Sequence, residues 1–235
     1  MKLFSQNEIR SVWDAMKMDI FTTRLFFDPL AVPLTIIFSK VKWITPNRVT
    51  LMALFPGIMG AFFFVQGNPI MGALGYYVFF LLDSIDGKLA RFTSTFDPLG
   101  AFYDFAVDRI VISMMVCGMC ISFVRLEMFS EFISALGFIL IFLLKDVFDL
   151  KWKASGVCKN PAANKTVERS GILARCKIHF KPGQLLSCFI VFIAGPVSGG
   201  YTICFGAGIL CLFLSMVSGV VLPYILYLKS TENIT

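Results

Sequence analysis

Charge is scarce in this chain of 235 residues, of which only 15% are Asp, Glu, Lys or Arg. A soluble domain carries about 25%. Here 57% of residues are hydrophobic, 26 of them Phe, and the mean hydropathy is +0.78. That shortage excludes an ordinary water-soluble domain and makes lipid the expected solvent. Metal-binding side chains of the softer kind are missing as sets. The one histidine, His179, sits in a basic stretch without an acidic neighbour. Of the seven cysteines (117, 120, 158, 176, 188, 204 and 211), only Cys117 and Cys120 have CxxC spacing. That pair lies in an apolar run with no second pair, so the thiols read as small hydrophobes and no zinc site follows. The first 24 residues lack an apolar core, which argues against a cleavable signal peptide. A net charge of +6 on so apolar a chain points to a membrane surface and not to nucleic acid.

What the chain does have is hydrophobic runs. Between Asn7 and Ile20, Ile9, Val12, Trp13, Met16 and Ile20 keep helical spacing, with Glu8, Arg10, Asp14, Lys17 and Asp19 mostly elsewhere. That pattern predicts an amphipathic helix lying in the membrane interface. Leu25 to Phe38 is apolar but short, and Asp28, Pro29 and Pro33 interrupt it. It is expected to be kinked, interfacial or half-inserted, since a full crossing needs about 20 apolar residues. Thr45-Pro46-Asn47-Arg48 then reads as a helix start, with Thr or Asn capping. Spans are expected at Val49–Val65, from Ile70 through Leu82 into an acidic stretch, at Leu99–Val124 and at Phe129–Phe148. After a basic insertion at 151–182, an uncharged stretch to Leu228 is long enough to cross twice, with Gly199-Gly200 as the break.

The expected architecture is an all-α integral membrane protein. Six transmembrane helices fill a core at 46–228, preceded by an interfacial segment at 1–45, and 1–235 form a single domain. Charge supports this topology. With the 151–182 loop in the cytoplasm, 20 of the 21 Lys and Arg lie on the cytoplasmic side or its edge, the exception being Arg125.

Against this apolar background the carboxylates at Asp83, Asp86, Asp104 and Asp108 stand out, because charge inside a membrane is costly unless it binds something. Asp83 and Asp86 are i,i+3, while Asp104 and Asp108 are i,i+4, with Gly100 one turn earlier. The short Thr93–Pro98 turn brings the two pairs face to face. Acids so close cannot all stay ionised without cations. An oxygen-only set selects a hard ion, Mg²⁺ or Mn²⁺. Gly87 and Ala90 leave a groove beside the acids, and Arg91 is placed to pair with a phosphate bidentately. Acids, metal, groove and Arg together describe a diphosphate-binding site.

The string DSIDGKLARFTSTFDPLGAFYDFAVD resembles the signature of the CDP-alcohol phosphotransferase (CDP-alcohol phosphatidyltransferase) family, DxxDGxxAR-(x8)-GxxxDxxxD, with every specified position present. The Thr45-Pro46-Asn47-x-x-Thr50 turn also resembles the family's opening of its first span. The resemblance implies transfer of a substituted phosphate from a CDP-linked donor to an alcohol, with release of CMP. It implies that Asp83, Asp86 and Asp104 hold the metal, that Asp108 approaches it and acts as general base, and that Gly87, Ala90 and Arg91 frame the CDP, with Asn47 and Thr50 as neighbours. It also implies a homodimer formed through the spans, which Gly118, Ala135 and Gly137 would permit.

The substrates stay open at this point. CDP-diacylglycerol suits a site at the membrane edge, but a soluble CDP-polyol or CDP-aminoalcohol is the alternative donor. For the acceptor, Lys145, Arg169 and Arg175 are candidates for a phosphorylated alcohol such as inositol phosphate or glycerol 3-phosphate. Anionic membrane lipid is the competing partner for that basic loop. Arg109 is either an acceptor contact or an interhelical partner for a carboxylate. A cation transporter is a rival class that would spread its acids through the bilayer depth.

Overall fold

The computed structural model describes residues 6–15, 19–20, 23–95, 97–154, 178–179 and 184–217. The described chain is helical apart from one two-residue parallel pairing. In order, the elements are α1 (Gln6–Ala15), β1 (Asp19–Ile20), a π-helical turn at Thr23–Phe27, α2 (Asp28–Ser39), α3 (Pro46–Val65), α4 (Pro69–Phe92), α5 (Pro98–Arg125) and α6 (Phe129–Ala154). Then come β2 (Ile178–His179), α7 (Gln184–Phe189), a π-helical segment Ile190–Ala194, α8 (Gly195–Ser198) and α9 (Tyr201–Met216). The β1–β2 pairing sets Asp19 beside Ile178 and Ile20 beside His179.

Proline and glycine punctuate the elements as their backbone limits require. Pro46, Pro69 and Pro98 each occupy the first helical turn, where a missing N–H costs nothing. The cap position before Pro46 is Thr45, although its side chain makes no capping hydrogen bond. Asn68 and Asp97 do cap, accepting from Met71 N at 3.2 Å and Leu99 N at 3.0 Å. Gly199 ends α8 at φ +71°, the left-handed conformation that a side chain disfavours. The break foreseen at Gly199-Gly200 is therefore present.

Three helices, α3, α4 and α5, are long and apolar enough to cross a membrane. We read the chain as an integral membrane protein on that basis. Two shorter apolar helices cover Leu186–Ser198 and Tyr201–Met216, where two further spans were expected. Among the described residues three helices are thus capable of crossing by length and composition, and the predicted stretch from Val217 onward lies almost wholly outside the described residues. The outer surface supports the lipid assignment. Leu51, Phe55 and Phe62 on α3 are 66%, 71% and 50% exposed, and such an array on a protein facing water would promote aggregation.

The amino-terminal region differs from its expected form. Helix α1 is described over Gln6–Ala15, and Ile20 belongs to β1 instead of extending the apolar face. Val12 is buried against Ile36 of α2, flanked by Trp13, Val32 and Phe92. Part of the amphipathic face is therefore spent on protein contact, while Ile9 stays 43% exposed.

The core is layered around α3. A Cβ on Gly75 of α4 would lie 2.5 Å from the Cα of Gly60 and 2.9 Å from the carbonyl of Pro56, both backbone atoms of α3. The helices touch main chain to main chain, an approach that small residues permit in membranes. Gly75→Ala is expected to lower stability by about 1–3 kcal/mol, the usual range for overpacking. Gly206→Ala, where a Cβ meets nothing within 4 Å, should cost nothing. Thermal unfolding in detergent compares the two. The residues expected to permit a dimer make contacts inside the chain. Gly118 abuts Ala61, Gly137 faces Ile209, and Ala135 is fully buried.

Two buried ionic groups join the elements. Asp28 of α2 takes the Arg24 guanidinium at 2.6 Å and the Lys88 ammonium of α4 at 2.9 Å. Lys88 also donates to Ser84, and Arg24 lies over the Trp13 ring, 4.8 Å from its centroid. Farther along, Arg109 of α5 forks onto Asp146 of α6, with Nε at 2.5 Å and the second nitrogen at 2.9 Å.

Candidate active site

The acidic residues lie where α4 ends and α5 begins. On α4, Asp83, Asp86, Gly87, Ala90 and Arg91 recur at helical spacing and so share a face. On α5, Gly100, Asp104 and Asp108 recur every four residues. The turn between the helices sets these two faces against each other. One carboxylate oxygen from each of Asp83, Asp86 and Asp104 falls within a group no wider than 4.8 Å. Asp83 is also in contact with both Asp104 and Asp108.

Helix α3 closes the site through Thr50 and Asn47. The Thr50 hydroxyl donates to Asp86 Oδ2 at 2.5 Å, a contact buried from solvent. It holds one carboxylate oxygen of Asp86 in place. Asn47 donates through Nδ2 to Asp97 Oδ2 at 3.2 Å. A Cβ on Gly100 would sit 2.5 Å from Asn47 Oδ1. The glycine thus lets the start of α5 come close to the start of α3, and the sequence motif's Gly100 has a packing reason. Gly87 differs: a Cβ there would meet only the Arg91 guanidinium, at 3.6 Å. Its missing side chain leaves open space beside the acids, bordered by that cation.

Charge balance shows what the cluster can hold. Lys88, two residues beyond Asp86, is turned to Asp28, and Lys145 pairs with Asp149 on its own helix. Arg109 is committed to Asp146, and its remaining terminal nitrogen is 3.6 Å from Asp108. Among the described residues no Lys is inserted where Asp83, Asp86 and Asp104 converge, Arg91 being the cation that borders them, and a bound cation would neutralise such a cluster. Their all-oxygen donor set fits a hard divalent ion, with no histidine or thiolate to favour zinc.

Of the residues expected for the acceptor, Lys145 and Arg109 are thus both ion-paired, and Arg109 is the interhelical partner of a carboxylate. Arg169 and Arg175 lie outside the described residues. Four side chains around the site were not anticipated from the sequence: Asp28, Lys88, Asp146 and Gln184. Gln184 of α7 donates to Asp146 Oδ1 at 2.8 Å. An internal signal existed for Lys88 and Asp146, each a charge within an apolar helix. Local sequence could not name their partners.

The chain is similar to known proteins in sequence and in fold. The sequence profile of the CDP-alcohol phosphatidyltransferase family matches residues 43–163. The chain is 35% identical over 91 residues to cholinephosphotransferase 1 of Gallus gallus, covering 34% of this chain and 27% of that protein. It is 39% identical over 94 residues to an uncharacterized protein of Aquifex aeolicus, covering 39% and 47% respectively. The chain thus spans less than half the length of these relatives. Among solved structures, the phosphatidylinositol phosphate synthase of Mycobacterium tuberculosis with CDP-DAG bound superposes with a TM-score of 0.59 at 20% identity, over 81% of this chain and 91% of that one. The same enzyme in complex with manganese and citrate gives 0.60 at 19% identity, over 83% and 89%. At such identities the likeness establishes a shared fold.

Proposed function

Because the chain belongs to the CDP-alcohol phosphatidyltransferase family, we propose that it transfers a substituted phosphate, most simply phosphatidyl, from a CDP-linked donor to an alcohol. CMP is the leaving group. The observation that carries this reading is the convergence of Asp83, Asp86 and Asp104 oxygens within 4.8 Å at the meeting of α4 and α5. Transfer at phosphorus needs charge neutralisation and in-line positioning more than covalent chemistry, and a convergent carboxylate set provides a seat for both.

In this reading Asp83, Asp86 and Asp104 hold Mg²⁺ or Mn²⁺, with Asp108 beside them. When bound, the ion neutralises the donor diphosphate and eases departure of CMP. Thr50 orients Asp86, Asn47 fixes the neighbouring turn, and the gap at Gly87 and Ala90 admits the nucleotide alongside Arg91. Asp108 accepts the proton of the acceptor hydroxyl, whose oxygen bonds to the β-phosphorus as the bond to CMP breaks. CDP-diacylglycerol is the donor best suited to a site on membrane-crossing helices. The concentration of Lys and Arg on one side of the expected topology supports a cytoplasmic active site. The grouping of all four acids at one end of two helices favours transfer over ion transport, which would distribute them along a path.

The test is CMP release by the purified protein in detergent. With CDP-diacylglycerol and a panel of alcohols, CMP should appear in proportion to phosphatidyl-alcohol product. Loss of the donor with no CMP, or no turnover with any CDP-linked donor, would refute the reading.

A further inference from the structure

Between α4, α5, α6 and α7 lies a cavity of about 100 Å³ that Asp108 borders. A site holds a water once it offers roughly 10–15 Å³, so a hydroxyl-bearing group has room here. The wall runs on from the acid cluster along two helices. On α5 it continues from Asp108 to Ile112, the next turn, and on α4 it takes in Phe80 and Tyr76, both before Asp83 in the chain. At 1.5 Å per residue, Tyr76 stands about 10 Å along α4 from Asp83. The cavity therefore leads away from the acids between apolar side chains, and Tyr76 brings a hydroxyl to its far part.

Tyr76 is 2% exposed. Its ring packs against Phe192 and Phe80, with centroids 4.8 and 6.1 Å away, which fixes the direction of the hydroxyl. That hydroxyl is hydrogen-bonded to the thiol of Cys188 on α7, itself part of the cavity wall. A thiol is a weak partner, and a buried hydroxyl is costly unless it is well paired. Phe already lines the same cavity at 79, 80 and 142, and a Phe in place of Tyr76 would fill its volume without that cost. The charges of Asp108 and Asp83 both act on the Tyr76 hydroxyl, so it stands within electrostatic reach of the group proposed as base. A phenolic O–H both donates and accepts and rotates freely. It can exchange the thiol for an oxygen that enters the cavity.

We propose that Tyr76 is a contact of the acceptor alcohol: its O–H turns from Cys188 to the acceptor oxygen and holds that oxygen in the cavity beside Asp108. The proposal rests on the transfer reading above. The acceptor hydroxyl then lies between two residues with different roles. Asp108 takes its proton, its oxygen bonds to the β-phosphorus, and the bond to CMP breaks with the electron pair leaving on the CMP oxygen. Tyr76 keeps its own proton throughout. One lone pair of the acceptor oxygen accepts from Tyr76 and the other attacks, so the hydrogen bond orients the nucleophile. Cys188 is a positioning residue that holds the Tyr76 hydroxyl until an acceptor replaces it.

The experiment measures CMP release by the full chain in detergent, with CDP-diacylglycerol against glycerol 3-phosphate and inositol 1-phosphate, and with CDP-choline against diacylglycerol. The combination with the highest turnover then serves for every variant. Tyr76→Phe keeps the ring packing and should raise the acceptor KM about three- to tenfold, the usual worth of a neutral hydrogen bond, while the donor KM and the thermal midpoint stay at their wild-type values. Cys188→Ser gives the Tyr76 hydroxyl a stronger partner and should raise the acceptor KM as well, whereas Cys188→Ala should leave it at or below the wild-type value. An unchanged acceptor KM in Tyr76→Phe overturns the proposal. So do equal shifts for donor and acceptor, the pattern of a merely structural contact. Should Tyr76→Phe not fold, the Cys188 variants decide, because a KM raised more by Cys188→Ala than by Cys188→Ser assigns the contact to the thiol and removes Tyr76. Absence of CMP with every combination in wild type defeats the transfer reading itself, a result distinct from an unchanged KM, and this proposal falls with it.

Discussion

Asp108→Asn is expected to lower kcat for transfer at least about 100-fold while leaving affinity for a CDP-linked donor within a few-fold of wild type. General bases contribute roughly 10²–10⁴-fold to such reactions, and a base is the role proposed for Asp108. It touches Asp83 but falls outside the tight group formed by Asp83, Asp86 and Asp104. It borders a cavity of about 100 Å³ between α4, α5, α6 and α7. Asn preserves the shape and still accepts a hydrogen bond, so the fold has no reason to fail, but an amide cannot take the proton. An interaction made only in the transition state lowers kcat and kcat/KM together. Steady-state kinetics beside equilibrium binding of the donor separates this from lost donor binding. Turnover near the wild-type rate would remove Asp108 from the base role.

The second large effect concerns stability. Asp28→Ala should destabilise the protein by about 3–5 kcal/mol, the usual cost of stranding a buried charge. Here Asp28 is 3% exposed and joins Arg24 at 2.6 Å and Lys88 at 2.9 Å, both themselves buried. Removing it leaves two cations in the interior with one partner gone from each. Because Lys88 lies two residues from Asp86 on the same helix, the loss should also reach the acid cluster. Replacing the group as a whole, with Arg24→Met, Asp28→Leu and Lys88→Met, should recover part of the stability, since apolar groups of similar volume often substitute for buried ion pairs without loss. Thermal unfolding of the detergent-solubilised variants measures both. An unchanged midpoint for Asp28→Ala would mean the ionic group contributes nothing.

These two variants mark what could and could not be read from the sequence. The helices α3 to α6 were legible because apolar runs and the prolines at 46, 69 and 98 are local signals. The face shared by Asp83, Asp86, Gly87 and Arg91 was legible for the same reason, as helical spacing alone fixes it. Asp28 looked only like an interruption in a short apolar run. Its partner Lys88 is 60 positions away, and the pairing depends on how α2 is rotated against α4, which no periodicity encodes. Arg109 raised the same difficulty: spacing allowed either a ligand contact or an interhelical pair, and the packing of α5 on α6 decides for Asp146. The apolar pattern of the first helix records a preference for burial without saying whether lipid or protein supplies it. Val12 found Ile36.

Everything proposed for this chain depends on the Asp83, Asp86 and Asp104 cluster serving as a divalent-ion seat for a CDP-linked diphosphate. The most direct measurement is CMP release from CDP-diacylglycerol before chelation, after it, and after Mg²⁺ or Mn²⁺ is restored, in wild type and in Asp83→Asn. Chelation is expected to stop CMP release, added ion to restore it to wild type, and Asp83→Asn to stay inactive or demand far more ion. CMP release that continues unchanged in the chelated protein, or at the wild-type rate and ion requirement in Asp83→Asn, would contradict it.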